Sequence, residues 1–137
     1  MTSPRSRARL IPIAGAFLLA ATAKAGPIAI TSDDQFVWVV NPKNNSVTVH
    51  HVGGDANAKV KEIPVGAEPH CVAIKPDNSL AYVTNTVGGT VSVINTTTMR
   101  QQKVIKVGTE PFGCALTPGG GKLYVANQSS ENVSVID

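Results

Sequence analysis

Few side chains in this 137-residue chain are of a type that does chemistry, and the most suggestive is His70. It stands between Pro69 and Cys71, and an imidazole there is a candidate metal or haem ligand or a general base. His50 and His51 are adjacent, and neighbours on a strand point to opposite faces, so as rim residues they are poorly placed to chelate one ion. Cys71 and Cys114 are the only cysteines, and two are too few for a disulfide-dense scaffold. Asp33 and Asp77 sit in turn-forming stretches, where two carboxylates could hold calcium or simply organise their turns. The sequence has no CxxCH haem attachment site, no glycine-rich phosphate loop and no nucleophile elbow. No catalytic residue, cofactor or metal site is therefore assigned, and His70 remains the single metal candidate.

The elements that would position these residues follow from a repeat. Glu68 to Asn85 reads EPHCVAIKPDNSLAYVTN, and EPFGCALTPGGGKLYVAN begins at Glu110. Pro69 pairs with Pro111, Pro76 with Pro118, Tyr82 with Tyr124 and Asn85 with Asn127, each 42 residues apart. A weaker copy, GPIAITSDDQFVWVVN, precedes them at a spacing of 44 with Trp38 in the Tyr82 place. In this register Gly119 stands where the Asp33 and Asp77 series would continue, which favours ordinary turn chemistry over calcium. His70 corresponds to Phe112 and to Gly26, so no ring of histidines is present, and a metal-free mouth or turn histidine is the favoured reading.

Each copy predicts four short strands. In the second copy they are Val72–Lys75, Leu80–Asn85, Thr90–Asn95 and Gln101–Val107, separated by Pro76-Asp77-Asn78, Gly88-Gly89 and Thr96 to Thr98. The second strand of each copy is apolar on both faces (Phe36 to Val40, Leu80 to Val83, Leu123 to Ala126) and so predicts cover on both. Trp38, Tyr82 and Tyr124 read as repeated packing residues. The third strands alternate valine with small hydroxyl residues, as in Val91-Ser92-Val93, which suits sheets stacked closely face to face. Four-stranded units of about 40–45 residues stacked this way are the blades of a β-propeller. The expected class is all-β, with units at 26–65, 66–107 and 108–137. The last unit lacks its outer strand and the ring is incomplete, because seven blades would need roughly 300 residues. A fragment or a gene cut short is the favoured account, and several chains completing one ring is the alternative.

The motifs VWVVN, AYVTN and LYVAN at Val37–Asn41, Ala81–Asn85 and Leu123–Asn127 resemble those of the YVTN family of β-propeller repeats. The resemblance covers nearly all of residues 26–137. It implies a propeller fold, in a family that ranges from binding propellers to subunits of periplasmic redox enzymes.

Residues 1–25 carry a secretory pattern: Arg5, Arg7 and Arg9, an apolar run from Leu10 to Ala21, and Ala23-Lys24-Ala25 as a small-x-small cleavage site. The run is shorter than the roughly 20 residues a bilayer span needs, and no twin-arginine pair is present. The segment holds four basic residues and no acidic one, so the +3 of the whole chain becomes −1 for the remainder. A nucleic-acid footprint is thereby unsupported, and after cleavage no membrane span is expected. The expected location is periplasmic or extracellular. In an oxidising compartment Cys71 and Cys114 could bridge, since they are 43 apart, one residue out of register, and point to opposite faces of their own units. They meet only if those are the faces that pack together, and two separate buried thiols are the favoured reading. Four Asn-x-Ser/Thr sequons, at Asn44, Asn95, Asn127 and Asn132, read as turn and strand residues.

The functional expectation is an exported scaffold that offers a surface or axial mouth to a protein or small-molecule ligand. The alternative is a propeller domain or subunit of a periplasmic redox enzyme, or of a lactonase-like hydrolase, with active residues outside this stretch.

Overall fold

The computed structural model describes residues 25–53 and 58–137, so the secretory pattern expected over residues 1–25 lies outside the described residues except for Ala25. After a two-residue strand β1 (Ala25–Gly26), the chain makes three consecutive antiparallel meanders. The first is β2 (Ile28–Ile30), β3 (Phe36–Asn41), β4 (Ser46–His51) and β5 (Lys59–Pro64). The second is β6 (Pro69–Ile74), β7 (Leu80–Asn85), β8 (Thr90–Asn95) and β9 (Arg100–Lys106). The third has three strands, β10 (Pro111–Leu116), β11 (Leu123–Asn127) and β12 (Asn132–Ile136). Spatial order follows chain order within each sheet, as in propeller blades. A single 3₁₀ turn, Pro42–Asn44, is the one helical element among the described residues.

The second strand of the middle blade, β7, is covered on both sides, as its composition predicts, whereas Tyr124 and Ala126 leave one face of β11 exposed. Trp38, Val47, Val49 and Ile63 of the first blade pack against Val72, Ile74, Ala81, Val83 and Ile94 of the second. The opposite face of the second blade, with Ala73, Tyr82 and Val91, packs against Leu123 and Val125 of the third. Alternate residues of β6 and β7 thus serve two different interfaces, the direct consequence of the two-residue period of a strand. The ring is open. Ile28 on one terminal blade and Tyr124, Val133 and Val135 on the other are 42–59% exposed.

Two details depart from the sequence expectation. Ala25 and Gly26, placed at the end of the leader and the start of the first unit, pair with Ala73 and Val72 and add a fifth strand to the inner edge of the second blade. The small hydroxyl residues of the third strands do more than permit close approach. The side-chain amide of Asn85 donates to Thr90 Oγ1 at 3.0 Å and to Ser92 Oγ at 2.9 Å. Asn41 repeats this with Ser46 and Thr48, and Asn127 with Asn132 and Ser134. Each motif asparagine therefore ties the second strand to the third from inside the hairpin, at positions five and seven residues on.

The turns repeat as well. Asp34, Asn78 and Gly120 hold φ of 57°, 57° and 70° in the first turn of each blade, and Asn45, Gly89 and Glu131 hold 50°, 61° and 51° in the second. Five of these six are Asn, Asp or Gly, the residues that accept this left-handed region at least cost, and Glu131 is the exception.

Candidate functional site

The inner strands of the second and third blades begin with a matching irregularity. In β6, Pro69 faces Asn85 while Cys71 faces Thr84, so His70 is the extra residue of a bulge. In β10, Pro111 faces Asn127 and Cys114 faces Val125, which again sets one residue more on the inner strand than on its partner. A bulge re-aims side chains out of the ladder, and such features concentrate beside functional sites. Here they bring His70 and Phe112 together. The rings stack with centroids 4.4 Å apart and planes at 29°, and Phe112 is 46% exposed. The 42-residue spacing was the available signal for this pairing. On its own that spacing indicates only that the histidine is not repeated.

Hydroxyl groups pin the backbone under this pair. Thr84 Oγ1 donates to the Phe112 carbonyl at 2.9 Å and accepts from the Cys71 amide at 3.1 Å. Thr86 Oγ1 donates to the Pro111 carbonyl at 2.9 Å. Cys71 and Cys114 lie beside the stack as a disulfide, with Cα atoms 6.1 Å apart. This corrects the expectation of two separate thiols. The one-residue offset turns the two side chains to opposite faces of their own blades, and those are the faces that pack together. Cys71 is almost fully buried, so the bridge forms part of the interface between the blades.

The other sequence candidates are not brought to this mouth. His51 faces Phe36 across β3 and β4, edge to face at 5.4 Å, and His50 lies opposite Val37. Asp33 and Asp77 lie beyond the far ends of the inner strands. Each organises its own turn: Asp33 Oδ1 accepts from Thr31 Oγ1 and the Gln35 amide, and Asp77 Oδ1 accepts from the hydroxyl and amide of Ser79. The Thr31 hydroxyl first, then the Gln35 amide, hold the Asp33 carboxyl below its ordinary value. The Ser79 hydroxyl and amide do the same for Asp77. Burial pushes the Tyr82 hydroxyl up, with a further contribution from the Asp77 charge. Among the described residues, no three His, Cys, Asp or Glu side chains gather into a metal-binding group.

Stacked antiparallel blades around inner strands β2, β6 and β10, with side chains presented where those strands begin, define a β-propeller. The sequence matches the family model described as Lactonase, 7-bladed beta-propeller over residues 7–100, and the chain belongs to that family. Among solved structures it is similar to Kuenenia stuttgartiensis hydrazine synthase, with a TM-score of 0.75 and 29% identity over 80% of this chain and 31% of that one. It is also similar to a putative 6-phosphogluconolactonase from Bacteroides fragilis, with a TM-score of 0.71 and 16% identity over 79% of this chain and 33% of that one. A functionally unknown protein from Desulfotomaculum acetoxidans shares the fold at a TM-score of 0.67 and 19% identity, over 82% of this chain and 41% of that one. The chain spans about a third of the length of the first two. No curated protein matches the sequence.

Proposed function

We propose that the protein is an exported propeller of lactonase type, and that these blades supply the scaffold and one wall of a ligand site at the axial mouth. The observation that carries this reading is the His70–Phe112 stack, aimed out of two adjacent inner strands by equivalent bulges. Membership of the lactonase family supports a ring ester as the ligand class. In such a reaction water adds to the ester carbonyl, the ring C–O bond breaks, and a hydroxy acid forms. Phe112 offers an apolar face to the ring, and His70 a nitrogen to hydrogen-bond the ester or the attacking water. Export is supported by the secretory pattern of residues 1–25 and by the Cys71–Cys114 bridge, since disulfides persist in oxidising compartments.

The test is hydrolysis of a simple sugar δ-lactone, followed by acid release, for the protein and its His70→Ala and Phe112→Ala variants. Both variants are expected to lose at least about tenfold in kcat/KM with the fold intact. Equal rates for all three would reject the mouth as the site. The 29% identity to hydrazine synthase favours a second reading, the propeller subunit of a redox complex. Co-purification with a redox-active partner from the native source would support it.

A further inference from the structure

At the end of the first two blades away from His70, a cavity of about 360 Å³ opens between their loops. Its wall includes Asp33 and Asp77, Thr31, and the apolar side chains of Phe36, Trp38 and Met99. The volume lies at the lower end of the range for small-molecule sites, roughly 300–1,000 Å³.

Three features restrict what it would take. Both carboxylates have Oδ1 engaged by their own turns, while Oδ2 of Asp77 meets only Lys75 Nζ, at 3.8 Å. They remain acceptors, so they call for donors on a ligand and repel anions. Trp38 is 1% exposed, and its indole Nε1–H has no acceptor among the described residues. A buried donor without a partner costs free energy until an acceptor reaches it. Phe36 and Met99, both half-buried, give the remaining wall a C–H-compatible surface. A metal ion or a simple ammonium would suit the carboxylates but could offer nothing to the indole. A hydroxyl group both donates and accepts.

The corresponding place between the second and third blades is lined differently. Gly120 packs there against Lys75 and Pro76, so closely that an added Cβ would stand 2.8 Å from Pro76 Cδ. Gly119 also removes the carboxylate. The pair of carboxylates is thus a property of one interface and is not imposed by the repeat.

We infer that this cavity is a second ligand site, distinct from the axial mouth, for a neutral polyhydroxylated ring such as an unphosphorylated sugar. Its hydroxyls donate to Asp33 and Asp77, one oxygen accepts from Trp38 as the wall adjusts, and its C–H face lies on Phe36 and Met99.

Trp38 is the sole tryptophan, so a ¹⁵N-labelled sample gives one indole N–H resonance that reports on the cavity directly. Titration of the full chain with glucose is expected to shift that resonance saturably below about 100 mM, the millimolar range of a weak site. Glucose 6-phosphate is expected to bind about tenfold more weakly through repulsion by the two carboxylates. Asp33→Asn with Asp77→Asn, which keeps an acceptor oxygen in each turn, is expected to shrink that discrimination. The dispersed amide spectrum checks that each sample is folded. No saturable shift with glucose would overturn the inference. So would a shift produced by choline and not by glucose, or discrimination against the phosphate ester that survives both substitutions.

Discussion

The side chain of Asn85 occupies the space that a side chain at Gly66 would need. A Cβ built on Gly66 stands 2.6 Å from Asn85 Cγ and 2.8 Å from its Cβ, and Gly108 meets Asn127 in the same way. The Val-Gly steps before the second and third blades and the asparagines ending β7 and β11 are therefore one packing unit, present twice at a spacing of 42 residues. Gly66→Ala is expected to destabilise the fold by about 1–3 kcal/mol, because the Asn85 Cβ is tied to backbone and cannot swing away. Denaturant unfolding would measure it. Adding Asn85→Ala should cost less in the Gly66→Ala background than in the wild type, and strict additivity would refute the shared packing.

Asn85→Ala alone removes two hydrogen bonds and leaves the hydroxyls of Thr90 and Ser92 without their donor. A loss of about 1–3 kcal/mol is expected. Asn78→Ala, in an exposed turn, is expected to cost less.

Position within the arc decides the value of equivalent aromatic residues. Trp38 is 1% exposed and Tyr124 is 42% exposed, although both occupy the same place in the repeat. Trp38→Ala should cost about 3–5 kcal/mol. Tyr124→Ala should stay within about 0.5 kcal/mol in the isolated chain, as for an ordinary surface change. Comparable losses would mean that something covers the third blade in solution.

The Cys71–Cys114 bridge closes a loop across two blades, with a sequence separation of 43. Thiol titration of the unfolded, unreduced protein should find no free thiol. Replacing both cysteines by serine should lower stability by about 2–4 kcal/mol, the usual range for a loop closure of this kind. Two titratable thiols would remove the staple and the support it gives to export.

Asp33 and Asp77 have carboxyl groups held below their ordinary value of 3.8 by turn hydrogen bonds. A depressed folded value means that the unfolded chain binds protons first as pH falls. Their contribution should be intact above about pH 5 and decline as pH drops through 3.8 and below. In the Asp33→Asn, Asp77→Asn variant, unfolding midpoints measured from neutral pH to pH 2.5 should fall less steeply on the acid side.

Much of this was legible in the residues. A 42-residue spacing, turn residues at fixed offsets and second strands without a polar face determine local strands and require cover on two sides, because a strand exposes alternate side chains to opposite faces. What the third dimension decided was which faces meet and which side chains come together around the axis. Only the handed stacking of one blade on the next turns the one-residue offset of Cys71 and Cys114 into a bond, and only the paired bulges bring His70 onto Phe112. The Asn85 hydroxyl clasp and the cavity beside Trp38 likewise depend on distances that a periodic pattern does not encode.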